Sequence, residues 1–201
     1  MDTTSRSRTF GRMAWMIAAA LWLTATSAGL VIATAYAGRP GASARAPSRW
    51  PAGSTVERRS GRATLLMFAH SQCACTRASL RELERAMARA DERIDAHVLF
   101  VNPRSGVTPV PRALDLRATA REIPGVHVVE DEEEVRRFGA LTSGQLLVYD
   151  EAGALIFQGG ITAARGHEGA SKGGEAVVRI ATGSGATSAS SDVFGCSLFK
   201  P

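Results

Sequence analysis

The chemistry available to this sequence is concentrated in its three cysteines. Cys73 and Cys75 lie one residue apart in FAHSQCACTRASL (68–80), and Cys196 lies in DVFGCSLFKP (192–201). A C-x-C pair can close a disulfide only in a tight turn, because bonded cysteines need Cα atoms about 4.4–6.8 Å apart and a near-perpendicular torsion. Such a bond is strained and easily reduced, so the oxidised pair would be a relatively oxidising couple. Reduced, the same two thiolates are soft ligands suited to Cu(I) or Zn. His70, three residues before Cys73, would favour the thiolate if it were charged and turned toward the loop. The plainest reading is that both cysteines are small buried residues, since cysteine is a common core residue.

Cys196 follows a small, flexible stretch, ATGSGATSASS (181–191). A coil of about 11 residues spans roughly 18–20 Å, enough to carry VFGCSLF back onto a domain of this size. Cys196 can then resolve a mixed disulfide, supply a third metal ligand, or remain an unpaired tail thiol. A polar run, GGITAARGHEGASKGG (159–174), could bring Arg165 and His167 toward the cysteines. Without further support it reads as a surface loop. His97 and His127 fall in strand-like segments and read as structural. No G-x-S-x-G, Walker A or H-E-x-x-H motif occurs, so hydrolase and nucleotide-binding readings lack support.

The elements that must position these residues follow from periodicity. ATLLMFAH (63–70) is a short apolar run of buried-strand length. From Thr76 the period changes: Leu80, Leu83, Met87 and Ala90 recur at helical spacing, with charges between them. Cys73 therefore stands where a strand turns into a helix N-terminus, a position that lowers a thiol pKa. AHVLFV (96–101) and VHVV (126–129) read as strands, and RALDLRATAREI (112–123) as a helix. EDEEEVRRFG (130–139) places acids first and arginines last, as a helix dipole favours. GQLLVYD and ALIFQGG form a hairpin through EAG, and GEAVVRIAT (174–182) a last helix. This order gives an α/β fold: a central mixed sheet flanked by helices, ending in an antiparallel hairpin.

Ahead of this domain, Met13–Ala37 is an uncharged apolar stretch of 25 residues, longer than the roughly 20 a bilayer-spanning helix needs. Trp15 and Tyr36 are candidate interfacial anchors. AYA (35–37) resembles a signal-peptidase site, but the run exceeds the usual signal core, so an uncleaved anchor is expected. Residues 1–12 are then a cytoplasmic N-terminus, 13–37 the transmembrane anchor, 38–62 a flexible Gly/Pro/Ser/Arg-rich tether, 63–182 the domain, and 183–201 a flexible linker with the cysteine tail. The net charge is +5, yet residues 1–62 carry +7 and the remainder −2. The basic character thus belongs to the arm, and the nearly neutral domain is not a nucleic-acid binder.

TLLMFAHSQCACTRASLREL (64–83) resembles the strand, active-site turn and first helix of the thioredoxin superfamily. FGALTSGQLLVYDEAGALIFQGG (138–160) is similar to the family's later loop and hairpin. The resemblance spans residues 63–182, and more narrowly the chain resembles small membrane-tethered thioredoxin-like proteins called RedB. It implies a thioredoxin-like fold with Cys73 as the nucleophile. Two features depart from the family: the second cysteine is at +2 instead of +3, and the family's cis-proline, expected near Gly144 in LTSGQ, is absent. Ser143 and Gly144 of that loop are candidate accessory residues. The resulting expectation is an inner-membrane, single-pass thiol–disulfide oxidoreductase with its C-terminal domain in the periplasm or outside. Cys73 attacks, Cys75 resolves, the partner is another thiol or disulfide protein, and no cofactor is required. Alternatives are a copper-handling protein using Cys73 and Cys75 with His70, His167 or Cys196, and a redox-inactive binding module.

Overall fold

A computed structural model describes residues 3–71, 73–90, 93–101, 115–184 and 189–199. The chain divides into two compact units, 1–37 and 38–201. The first is a single helix, α1 (Thr3–Ala37). Its apolar part, Arg12–Ala37, has 26 residues with a mean hydropathy of 1.9. At about 1.5 Å per residue this exceeds the ~30 Å hydrocarbon thickness of a bilayer. The hydroxyls of Thr24, Thr26 and Thr34 donate to the carbonyls of Ala20, Trp22 and Leu30, one turn back. No polar side-chain group at these positions needs water, which is what an apolar surrounding requires. The helix is compatible with a single-pass anchor.

The second unit is built on a six-stranded sheet in the order β3-β2-β1-β4-β5-β6. Its central strand is β1 (Ala63–His70), whose six inner residues are buried because both sheet faces are covered. β2 (Ile94–Val101) runs parallel to β1, and β3 (Val126–Val129) parallel to β2. β4 (Gln145–Tyr149) is antiparallel to β1 and forms a hairpin with β5 (Leu155–Gly160). This is the expected thioredoxin-like α/β fold. The sequence did not reveal the two-residue β6 (Ala189–Ser190), which extends the sheet parallel to β5.

Alternation along β1 sorts the core. Leu65, Met67 and Ala69 face one cluster, which includes Leu80 and Leu83 of α2 (Ala74–Met87) and Val177 of α5 (Lys172–Ala181). Leu116 and Ala120 of α3 (Leu116–Arg121) complete that layer. Residues 102–114, including the expected start of this helix, lie outside the described residues. Leu66 and Phe68 face the opposite cluster with Val135 of α4 (Glu132–Arg137) and Phe138. The acidic start of α4 is capped by Asp131, whose carboxylate accepts from the Glu133 and Glu134 amides.

Among the described residues one short helix covers that second face, and residues 38–62 supply further cover. The expected free tether is instead packed on the domain. Ala46 and Val56 are buried in the second cluster. Trp50 sets its ring edge-to-face against Phe138 and Tyr149, with centroids 5.1 and 5.2 Å apart. The Trp50 amide donates to the Gly153 carbonyl, and Leu155 donates to the Ser48 carbonyl. Gln158 of β5 fixes the same segment with its amide group: Nε2 donates to the Ala44 carbonyl, and Oε1 accepts from the Ala46 amide. Composition alone marks this segment as loop-like. Its backbone groups and three apolar side chains nevertheless satisfy an open sheet face.

Candidate functional site

The site lies where β1 ends and α2 begins. Cys73 is the N-cap residue of α2, with extended backbone at φ −94° and ψ 125°, and Cys75 lies within the first turn. Both are buried, whereas Cys196 is exposed. The helix mouth therefore does not leave Cys73 open to solvent. The tail covers it. The Cys73 and Cys196 sulfurs lie in direct contact, 2.8 Å apart. All three Sγ atoms lie within 4.8 Å of one another.

The tail is held by backbone pairing with the loop before β4. The Ser143 amide donates to the Cys196 carbonyl, and the Leu198 amide donates to the Leu141 carbonyl, both near the ideal length at 2.8 and 2.9 Å. Thr142 and Ser197 thus form an antiparallel bridge. Leu198 is buried in the second core cluster, and the Arg136 guanidinium stacks 3.9 Å from the Phe199 ring centroid. Arg165 donates from its guanidinium to the Gly195 carbonyl and to the Arg39 carbonyl. Of the polar run 159–174, Arg165 alone joins the cysteine region. His167 is exposed and lies outside the sulfur cluster. Glu168 turns away to pair with Arg85 of α2 at 3.1 Å.

Beneath the sulfurs, a closed ring of hydrogen bonds ties the helix start to the loop. The Thr76 hydroxyl donates to the His70 carbonyl at 3.0 Å and lies 2.6 Å from the Ser143 hydroxyl. A hydroxyl has one proton, so Ser143 donates to Thr76, and Ser143 Oγ accepts the His70 amide at 3.2 Å. Thr76 was not legible as a site residue. Its only signal is a hydroxyl three places after the N-cap, a common helix position. Gly144 stands where the sequence resemblance would place a proline. Its amide donates to the Phe68 carbonyl at 2.8 Å, and its φ is +86°. Proline offers no amide hydrogen and cannot reach that φ. A Cβ there would also stand 2.8 Å from Ser79 Oγ. The absent proline is thus a different local solution that still ties the loop to β1.

Electrostatics separate the three thiols. Burial pushes Cys73 up, but hydrogen bonding from the Cys196 thiol and from the backbone at Thr76, Cys196 and Cys75 outweighs it, leaving the pKa below the ordinary thiol value. Burial raises Cys75, and the neighbouring Cys73 charge raises it further. Cys196 is pushed up to about 12, first by burial and then by its bond to Cys73 and the charges of Cys73 and Cys75. Burial lowers His70, so its ring is neutral at pH 7 and supplies no positive charge. The expected imidazolium assistance is replaced by hydrogen bonds. His97 and His127 sit on adjacent strands well away from the sulfurs. The His97 ring lies 3.1 Å from the buried Asp95 carboxylate, consistent with a structural role.

Chemically, the arrangement offers one thiol with a lowered pKa beside two whose pKa is raised. A thiolate attack followed by an internal second attack needs that combination. It also offers three soft donors. Ligands about 2.3 Å from a trigonal metal would lie roughly 4.0 Å apart, which these sulfurs can reach.

No protein-family model matches the chain, and no curated protein matches it. Among solved structures it is similar to an uncharacterised conserved protein from Geobacillus kaustophilus, with 20% identity and a TM-score of 0.56. That match covers 82% of this chain and 94% of the other. It is also similar to a hypothetical protein from Sinorhizobium meliloti 1021, with 18% identity, a TM-score of 0.55, and 69% and 79% of the two chains covered. A weaker match is the pneumococcal exposed lipoprotein thioredoxin from Streptococcus pneumoniae strain TIGR4. There identity is 15%, the TM-score 0.43, and coverage 61% and 85%. At these identities the likeness speaks to fold.

Proposed function

We propose that this protein is a membrane-anchored thiol–disulfide oxidoreductase in which Cys73 attacks and Cys196, in preference to Cys75, resolves. The 2.8 Å contact between Cys73 and Cys196 sulfurs carries the reading. In the reducing direction, the Cys73 thiolate attacks one sulfur of a partner disulfide. A Cys73–partner disulfide forms, and the partner's other sulfur leaves as thiolate. Negative charge on Cys73 is thereby removed, and with it one of the causes that keep Cys196 protonated. Cys196 then loses its proton and attacks Cys73 Sγ. The Cys73–Cys196 bond forms, the second partner thiolate leaves, and the partner has gained the two electrons the protein has lost. The reverse sequence oxidises a dithiol. An uncleaved α1 with the domain outside would place this cycle where disulfides persist.

Peptide mapping of the oxidised protein tests the assignment. A Cys73–Cys196 disulfide is expected, and Cys196→Ser should accumulate mixed disulfides with partner thiols. A Cys73–Cys75 disulfide with no effect of Cys196→Ser would overturn it. The three-sulfur cluster supports a second reading, Cu(I) binding by Cys73, Cys75 and Cys196. One Cu(I) retained per reduced chain, and lost in each single serine variant, would favour that reading. Equal copper in wild type and the triple variant eliminates it.

A further inference from the structure

The tail is seated as a substrate would be. Residues 196–198 lie beside 141–143 in an antiparallel bridge, give and accept backbone hydrogen bonds there, and bring a cysteine to the nucleophile. Strand addition of this kind draws affinity from the main chain and selectivity from side-chain pockets. Each position of the tail meets a distinct requirement. At Gly195 a Cβ would lie 1.8 Å from the Ser143 carbonyl oxygen, so no other residue fits. Leu198 is buried in the apolar cluster that contains Phe138 and Val135. Phe199 lies under the Arg136 guanidinium, and Arg165 grips the carbonyl of the glycine.

We infer that the tail is a tethered stand-in for the protein substrate, and that the 141–143 edge receives an extended partner segment reading Gly-Cys-x-apolar-aromatic once the tail withdraws. This rests on the exchange reading above. The same seat thus has two occupants in competition. A segment tethered in this way acts at millimolar effective concentration, so it excludes weak cysteine peptides and yields to partners that match the seat. Cys196 serves both purposes, as resolving thiol when the tail is home and as the model of what is recognised.

The test uses full-length reduced protein in detergent carrying Cys75→Ser and Cys196→Ser, so that Cys73 alone reacts. The probes are a peptide VFGCSLF with its cysteine joined to thionitrobenzoate, and the same peptide with valine replacing its glycine. Attack by Cys73 on the peptide sulfur forms the protein–peptide disulfide and releases the coloured thionitrobenzoate thiolate. A second protein adds Gly195→Val, which expels the tail, and a third uses Leu198→Asp instead, which removes its anchor while leaving the glycine. In both tail-expelled proteins the glycine peptide should react at least about tenfold faster than with the tail in place, as expected for release of a tethered competitor. It should also outpace the valine peptide at least about tenfold. Equal rates for the two peptides would overturn the inference. A small mixed disulfide of thionitrobenzoate and mercaptoethanol separates the two levels of argument. If Cys73 reacts with it but does not discriminate between peptides, the seat is refuted and the exchange reading stands. If Cys73 reacts with neither, both fall.

Discussion

Replacing Cys196 with alanine should move the Cys73 pKa upward by a calculable amount. Burial alone would raise Cys73, and the first group opposing it is the Cys196 thiol at 2.8 Å. A hydrogen bond to a charged group contributes about 1.5–3 kcal/mol, and about 1.36 kcal/mol corresponds to one pH unit. The expected rise is therefore roughly one to two units, toward the lower end because water admitted into the vacated space lessens the burial effect. The kinetic signature is a crossing of curves. At pH 7 less Cys73 is ionised, but each thiolate is more nucleophilic by a Brønsted factor of about 0.4–0.5. Well below both pKa values the net alkylation rate should therefore fall roughly 3- to 15-fold. Above both pKa values the order reverses, and the variant becomes several-fold faster. The assay is iodoacetamide alkylation of Cys73 from pH 4 to 11, in Cys75→Ser protein with and without Cys196→Ala. Superimposed profiles, or a lower pKa in the variant, would refute the claim that Cys196 sustains the Cys73 thiolate.

Two further outcomes concern the scaffold. Trp50→Ala removes two edge-to-face ring pairs worth about 0.5–1.5 kcal/mol each. Melting should fall by roughly 2–12 °C at about 2–4 °C per kcal/mol, and an unchanged melting point would mean that residues 38–62 do not brace the sheet. Burial lowers both His97 and His70 from the ordinary 6.5. The unfolded chain thus binds protons first, and stability present above pH 6.5 is lost as pH falls through the folded values. His97→Gln should lessen the drop in melting temperature between pH 7 and pH 5, and an undiminished drop would rule out this contribution.

The fold was legible wherever side-chain pattern decided structure. Doubly covered strands write themselves as unbroken apolar runs, as in Leu65–Ala69, and the change of period after Cys73 marks the start of α2. EAG gave the hairpin because its turn has its own residue chemistry. What escaped was structure made by the backbone. β6 is two small residues paired to Phe157 and Gln158, and segment 38–62 is held largely through its carbonyls and amides. Composition records neither. In the site, Cys73 and Cys75 stood out by type and spacing, and Cys196 by being the odd thiol. Its seat could not be read, because it depends on a glycine at 195 tolerating contact with Ser143, a residue distant in sequence. The Thr76–Ser143 ring was hidden for the same reason, and His70 misled because its charge depends on burial that sequence does not display.

The packing of residues 38–62 decides where this protein can be cut. A soluble version begun at Ala63, the first strand residue, would discard Ala46, Trp50 and Val56. It would lay bare the face carrying Leu66, Phe68, Leu147 and Tyr149, an apolar surface of the kind that drives aggregation. Its failure would be mistaken for intrinsic instability of the protein. The division between the units falls after Ala37, and an expression clone starting at Gly38 keeps that wall of the core intact.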